Sequence, residues 1–244
     1  PDEPGEDLAD TVKALGGKRF VAVLGNDFQH KNRDFAIRVW QRALQEGQPC
    51  DLVLAGLHVK SSSSKKDEDD LIARHLDLRG RIHTVGHVSS QSRAWLLANA
   101  TVVLYPTSAE GFGFVPYEAA ALGTPAVFTD FGPLKEIAAL HDLPRSWAVE
   151  EHTGDLVSLL VEQEARDRRV RGLREAIDRY TWADFGSRLV AFFEEIVRMP
   201  EVATSAVGAD TAAADAAALS AILSSRSWKA TAPLRRLGRR SRGG

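Results

Sequence analysis

Short apolar runs recur along the chain, each followed by a stretch whose apolar residues return every three or four positions. The runs at 19–25, 51–55, 81–86, 101–106 and 125–130 carry the strand signature, with apolar, often β-branched residues bounded by Gly, Asp, Pro or Ala. Between them, 34–45, 68–76, 91–99, 113–122 and 134–140 repeat with helical period. Alternating strand and helix with short connections predicts an α/β fold, a doubly wound parallel sheet covered by helices on both faces. Further on the period is helical only, over 154–164, 165–180 and 182–199, and these C-terminal helices are expected to pack on the sheet or close the domain. Residues 1–17 form an acidic, Pro-bearing lead-in, 18–198 the α/β domain, and 199–244 an Ala, Ser, Thr and Gly linker, a short helix at 215–224 and a tail.

Composition narrows the function. The 244 residues suffice for one large α/β domain or two small ones, and 44% of them are hydrophobic. Thirty-one basic against 33 acidic residues leave a formal charge of -2, so no global attraction to nucleic acid is expected. The tail 226–244 is the exception, basic without a single acid. Cys50 is the one cysteine, which rules out an internal disulfide and agrees with a reducing compartment. No apolar run approaches the roughly 18 residues a spanning helix needs, and the first residues are polar. A cytoplasmic protein is expected.

In a doubly wound sheet of order 3-2-1-4-5-6 the first and fourth strands are neighbours, and a crevice opens at their carboxyl ends. Here the first strand runs into Gly25, Asn26 and the tripeptide His30-Lys31-Asn32, and the fourth into a loop holding Glu110, Gly111, Phe112 and Gly113. Lys31 offers a mobile positive charge, Gly25 permits close approach of backbone, and the amides of 111–113 face an anion such as diphosphate. Glu118, inside the following helix, is placed to accept from ribose hydroxyls, and Glu110 from sugar hydroxyls. Asn32 also suits a helix N-cap, the ordinary use of such a residue. The acidic run at 67–70 reads as a solvated helix start, and His83 and His87 lack metal-ligand spacing. No metal site is expected, and His87 is placed near a bound base.

At these residues the chain resembles the carboxyl-terminal, donor-binding half of GT-B glycosyltransferases, the large retaining family four. The pieces are Val23-Leu24-Gly25-Asn26 with His30-Lys31-Asn32, Leu52-Val53-Leu54-Ala55-Gly56, Val85-Gly86-His87-Val88, the run from Glu110 to Glu118, and Gly123-Thr124-Pro125. The resemblance covers about 18–198 and implies a Rossmann-like, nucleotide-sugar-binding domain. It implies that Glu110 and Lys31 serve catalysis. Gly25, Asn26, Lys31, His87, Glu110, Gly111, Phe112, Gly113 and Glu118 are implied to hold the donor. Asn26 stands where many relatives have a second diphosphate ligand, arginine, which throws charge compensation onto Lys31. The implied chemistry is transfer with retention from a nucleoside-diphosphate sugar, GDP-mannose or TDP-rhamnose, without metal and without a covalently bound cofactor. The acceptor, a glycan or lipid-linked molecule of bacterial polysaccharide synthesis, would meet an N-terminal domain that this chain lacks, so the isolated chain is expected to be inactive. The basic tail suggests peripheral contact with the inner face of a membrane. The competing expectation is a non-catalytic nucleotide-sugar-binding or protein-interaction module.

Overall fold

A strand covered on both sides must be apolar on both faces, and β1 (Phe20–Leu24) is: Phe20, Ala22 and Leu24 enter one core, Val21 and Val23 the other. The computed structural model describes residues 3–130, 132–138, 143, 146–199 and 220. Helix α1 (Asp10–Lys13) precedes β1. Then follow α2 (Arg33–Gln45), β2 (Asp51–Ala55), α3 (Lys65–Arg74), β3 (Ile82–Val85), α4 (Ser90–Asn99), β4 (Val102–Tyr105), α5 (Val115–Ala121), β5 (Ala126–Phe128), α6 (Gly132–Ala138), α7 (Val149–Val161), α8 (Gln163–Ile177) and α9 (Trp182–Arg198). Among the described residues the five strands are parallel, in the order β3-β2-β1-β4-β5. This is the doubly wound, Rossmann-like sheet that the sequence predicts.

The switch point follows from which face each helix covers. Ile37 and Trp40 of α2, Leu71 of α3, and Leu156 and Leu159 of α7 fill the core on the Val21 side. Trp95 and Leu96 of α4, Tyr117 and Ala120 of α5, and Leu173 of α8 fill the core on the Phe20 side. Connections therefore leave β1 and β4 toward opposite faces. Those two strands lie side by side, Val21 against Val102 and Ala22 against Val103. The loops after them share one edge of the sheet.

Several boundaries differ from expectation. The lead-in is part of the fold: Leu8, Val12 and Leu15 are buried in the Phe20-side core, and the Asp7 carboxylate accepts from the Ser89 amide at 2.6 Å and the Ser89 hydroxyl at 2.8 Å at the start of α4. Polar neighbours hide this apolar set from a composition-based boundary. Helix α7 starts at Val149 rather than 154, because Glu150 and Glu151 in its first turn suit the positive end of the helix dipole. Helices α7 and α8 meet the expectation that they pack on the sheet, whereas no residue of α9 is buried. The chain divides into two compact units, Pro1–Phe185 and Gly186–Gly244. Apart from Met199 and Ser220, the predicted linker, the helix at 215–224 and the basic tail lie outside the described residues.

Candidate functional site

The loop after β1 is built to approach another backbone closely. Gly25 and Gly56 have φ of 148° and 150°, and a Cβ on Gly56 would sit 2.0 Å from the Gly25 carbonyl oxygen. The Asn26 side chain accepts from the Leu57 amide at 2.9 Å. Asp27, buried, accepts from the Val59 amide at 2.7 Å and lies 2.6 Å from His58 Nδ1. Burial raises its carboxyl pKa, but the His58 and Val59 hydrogen bonds outweigh that and hold it below the usual range. Below the loop, Arg33 and Glu68 form an ion pair at 3.0 Å with both side chains 2% exposed, and Arg33 also donates to the Gly25 carbonyl at 3.3 Å. Asn32 departs from its expected use. It precedes α2 in the left-handed conformation, φ 48°, and its amide donates to the Pro106 carbonyl at 2.8 Å instead of capping.

That contact is one of several joining the two loops. The Ser108 amide donates to the His30 carbonyl at 2.8 Å. Lys31 pairs with Glu110, the two side chains being 19% and 15% exposed. The same Glu110 oxygen, Oε1, accepts from the Tyr105 hydroxyl at 2.6 Å and the Thr107 hydroxyl at 2.8 Å. Burial works to raise the Glu110 pKa; the Lys31, Tyr105 and Thr107 hydrogen bonds reverse the sign and keep it ionised. Burial and the Glu110 hydrogen bond push the Tyr105 phenol up, so it stays a donor.

A cavity of about 460 Å³ opens beside the β1 loop at the ends of β2 and β3, lined by Gly25, Asn26, Lys31, Gly56, His87 and Arg93 among others. That volume is in the range of small-molecule sites. Four of the residues singled out from sequence, Gly25, Asn26, Lys31 and His87, thus line one cavity, and Glu110 joins it through Lys31. Glu118 joins it through Arg93, whose guanidinium engages both carboxylate oxygens, Nη1 to Oε1 at 3.1 Å and Nη2 to Oε2. Gly111, Phe112 and Gly113 are not in its lining. Their amides donate to no group among the described residues, and the Phe112 ring packs on Phe114, Tyr117 and Tyr180. His83 lies 2.9 Å from Asp51 in a structural contact. Among the described residues no group of three or more His, Cys, Asp or Glu could hold a metal ion.

Arg93, Tyr105 and Thr107 are the site residues that sequence reasoning missed. An arginine on a helix is by default solvated, and Tyr105 and Thr107 look like strand-end residues. Only the expectation that carboxylates beside a diphosphate need cationic or hydrogen-bond-donating neighbours points toward them.

Comparison with known proteins identifies the family. A phosphatidyl-myo-inositol mannosyltransferase of Mycolicibacterium smegmatis is 28% identical over 134 residues, 53% of this chain and 35% of that protein. An MMP alpha-(1->4)-mannosyltransferase of Mycolicibacterium hassiacum is 32% identical over 134 residues, 53% of this chain and 32% of that one. The chain thus spans about a third of these curated relatives. Among solved structures, the C-terminal domain of the glycosyl transferase group 1 family protein LpcC from Francisella tularensis has a TM-score of 0.57 at 18% identity, with 72% of this chain and 94% of that chain covered. Anabaena Alr3699/HepE, solved with UDP and glucose, has a TM-score of 0.60 at 18% identity over 79% of this chain and 53% of that chain. The family described as "Glycosyl transferases group 1" matches residues 7–179. This chain belongs to the glycosyl transferases group 1 family.

Proposed function

We propose that the chain is the donor-binding half of a retaining glycosyltransferase that moves a sugar from a nucleoside-diphosphate sugar to a glycan or lipid-linked acceptor. The observation that carries this is the meeting of Lys31 with Glu110 across two loops 79 residues apart, at the edge of a cavity also lined by Gly25 and Arg93. In this reading the diphosphate takes Lys31 and the open amides of 111–113, and Glu118 accepts from ribose. Glu110 Oε1 is filled by three donors, which leaves Oε2 for sugar hydroxyls. Departure of the nucleoside diphosphate places negative charge on an oxygen beside Lys31. Fixed donors already aimed there lower the barrier without reorganising, and no protein group needs to gain or lose a proton at that step.

The names of the mannosyltransferase relatives support a mannosyl donor, and the partial coverage of those proteins supports a second domain that binds acceptor. Titration calorimetry with GDP, UDP and TDP tests the reading and identifies the base. Lys31→Ala removes one charge-assisted contact worth about 1.5–3 kcal/mol, an affinity loss of about 10- to 100-fold. Glu118→Ala is expected to weaken binding with the fold intact by circular dichroism. Unchanged binding in both variants contradicts the assignment.

A further inference from the structure

We propose that Arg93 is a positioning residue for Glu118, and that its two-armed grip turns that carboxylate into a reader of ribose as opposed to 2′-deoxyribose. The proposal rests on the nucleoside-diphosphate reading given above.

The two residues belong to different helices. Arg93 lies in the first turn of α4, which is started by the Ser89 hydroxyl accepting from the Ser92 amide. Glu118 lies in α5, beyond the Glu110 loop. Both helices lie on the Phe20 side of the sheet, and the pairing across them engages two guanidinium nitrogens and both carboxylate oxygens. A side-on fork fixes the plane of the carboxylate as well as its position, which a lysine or a single hydrogen bond does not.

Stability does not explain such a pair. Each side chain is 38% exposed, and half-exposed pairs contribute little to folding. Position does explain it, because Arg93 lines the cavity between Gly25, Lys31 and His87. An ionised carboxylate offers about four acceptor sites. Arg93 takes two, one on each oxygen, and two remain for ligand hydroxyls. Arg93 also cancels the charge that would otherwise set Glu118 against a neighbouring diphosphate, so the pair presents acceptors without a net negative charge. The other acid of the site is treated in the same way, since Lys31 is paired with Glu110. Each acid meant for hydroxyls carries its own cation.

The selectivity follows from satisfaction of these acceptors. A ribose delivers its 2′-hydroxyl to a carboxylate held in one orientation, and a 2′-deoxyribose leaves that acceptor unpaired. A carboxylate free to rotate would recover the loss by turning to water or to the 3′-hydroxyl. The donor is therefore a ribonucleoside diphosphate sugar; of the two donors that the sequence favours, the thymidine one is disfavoured.

The test is calorimetry of the whole chain, its Arg93→Gln variant and its Glu118→Ala variant with GDP, 2′-deoxy-GDP, UDP and 2′-deoxy-UDP. The informative quantity is the ratio of ribo to deoxy affinity for one base, since both nucleotides carry the same phosphates and any change in charge cancels. Wild type is expected to prefer the ribonucleotide by about tenfold, the value of one hydrogen bond to a charged group. Both variants are expected to reduce the preference to about twofold or less. If Arg93→Gln keeps the preference that Glu118→Ala loses, or lowers both affinities alike at an unchanged ratio, Arg93 does not position Glu118 and the proposal is overturned. A wild type that binds ribo and deoxy forms equally also overturns it, with the cavity assignment left standing. A wild type that binds no nucleotide overturns the cavity assignment itself.

Discussion

Removing the Glu68 carboxylate tests whether a buried charge holds up the loop that carries Lys31. Arg33 and Glu68 meet at 3.0 Å with both side chains 2% exposed, and the Ser64 hydroxyl donates to Glu68 at 2.6 Å. In Glu68→Ala the guanidinium stays in the interior without its counter-charge, at a cost of about 3–5 kcal/mol. An exposed pair would lose about 0–1 kcal/mol. Against a total stability of about 5–15 kcal/mol, the larger loss leaves the domain marginal. With a urea m-value of about 2.5 kcal/mol/M, the midpoint falls by about 1–2 M. The double variant Arg33→Met with Glu68→Leu removes both charges and keeps the volume, and it is expected to recover most of the loss. Among the described residues the Arg33 Nε finds no hydrogen-bond partner, which lowers what the pair contributes when intact. Urea unfolding followed by circular dichroism measures all three proteins. A single variant within about 1 kcal/mol of wild type, or a double variant no better than the single, refutes the reasoning. Because Arg33 also donates to the Gly25 carbonyl, the single variant is expected to weaken nucleotide binding wherever it remains folded.

Three further outcomes are expected. Gly56→Ala places a Cβ 2.0 Å from the Gly25 oxygen at φ 150°, so it should cost about 1–3 kcal/mol, lower Tm by several degrees and weaken nucleotide binding together. Tyr105→Phe removes one of the three donors to Glu110 Oε1, which raises the Glu110 pKa. The acid limb of nucleotide-sugar binding should therefore move to higher pH, with a stability loss of about 1 kcal/mol. Asp7 is held at about 2, chiefly by the Ser92 hydroxyl and the Ser89 amide, against an ordinary 3.8. Its contribution is full above 3.8 and lost as pH falls toward 2, so wild type and Asp7→Asn should differ in Tm at pH 5 and converge near pH 2.

The strand runs were legible because a strand covered on both faces leaves an unbroken apolar signature, as in Phe20–Leu24 and Val102–Tyr105, and their order is the common doubly wound one. The neighbouring of β1 and β4 in such a sheet is enough to bring Lys31 and Glu110 to one crevice. Long-range partners were not legible. The separation of Arg93 from Glu118 is 25 residues and that of His58 from Asp27 is 31, and nothing local in either segment reports the other. Asn32 shows how local rules mislead: its place before a helix is that of a cap, yet the Pro106 carbonyl of the adjacent loop takes its amide. The lead-in was misjudged because Leu8, Val12 and Leu15 are apolar singly among polar neighbours, and only the packing of the Phe20-side core gathers them.

The most direct test of a diphosphate gripped between the β1 and β4 loops is a calorimetric titration of the chain with GDP and UDP at two salt concentrations, repeated on Lys31→Ala. Saturable one-to-one binding that weakens with salt and falls about 10- to 100-fold in the variant is the expected result. No binding of either nucleotide, or equal binding by wild type and Lys31→Ala, contradicts it.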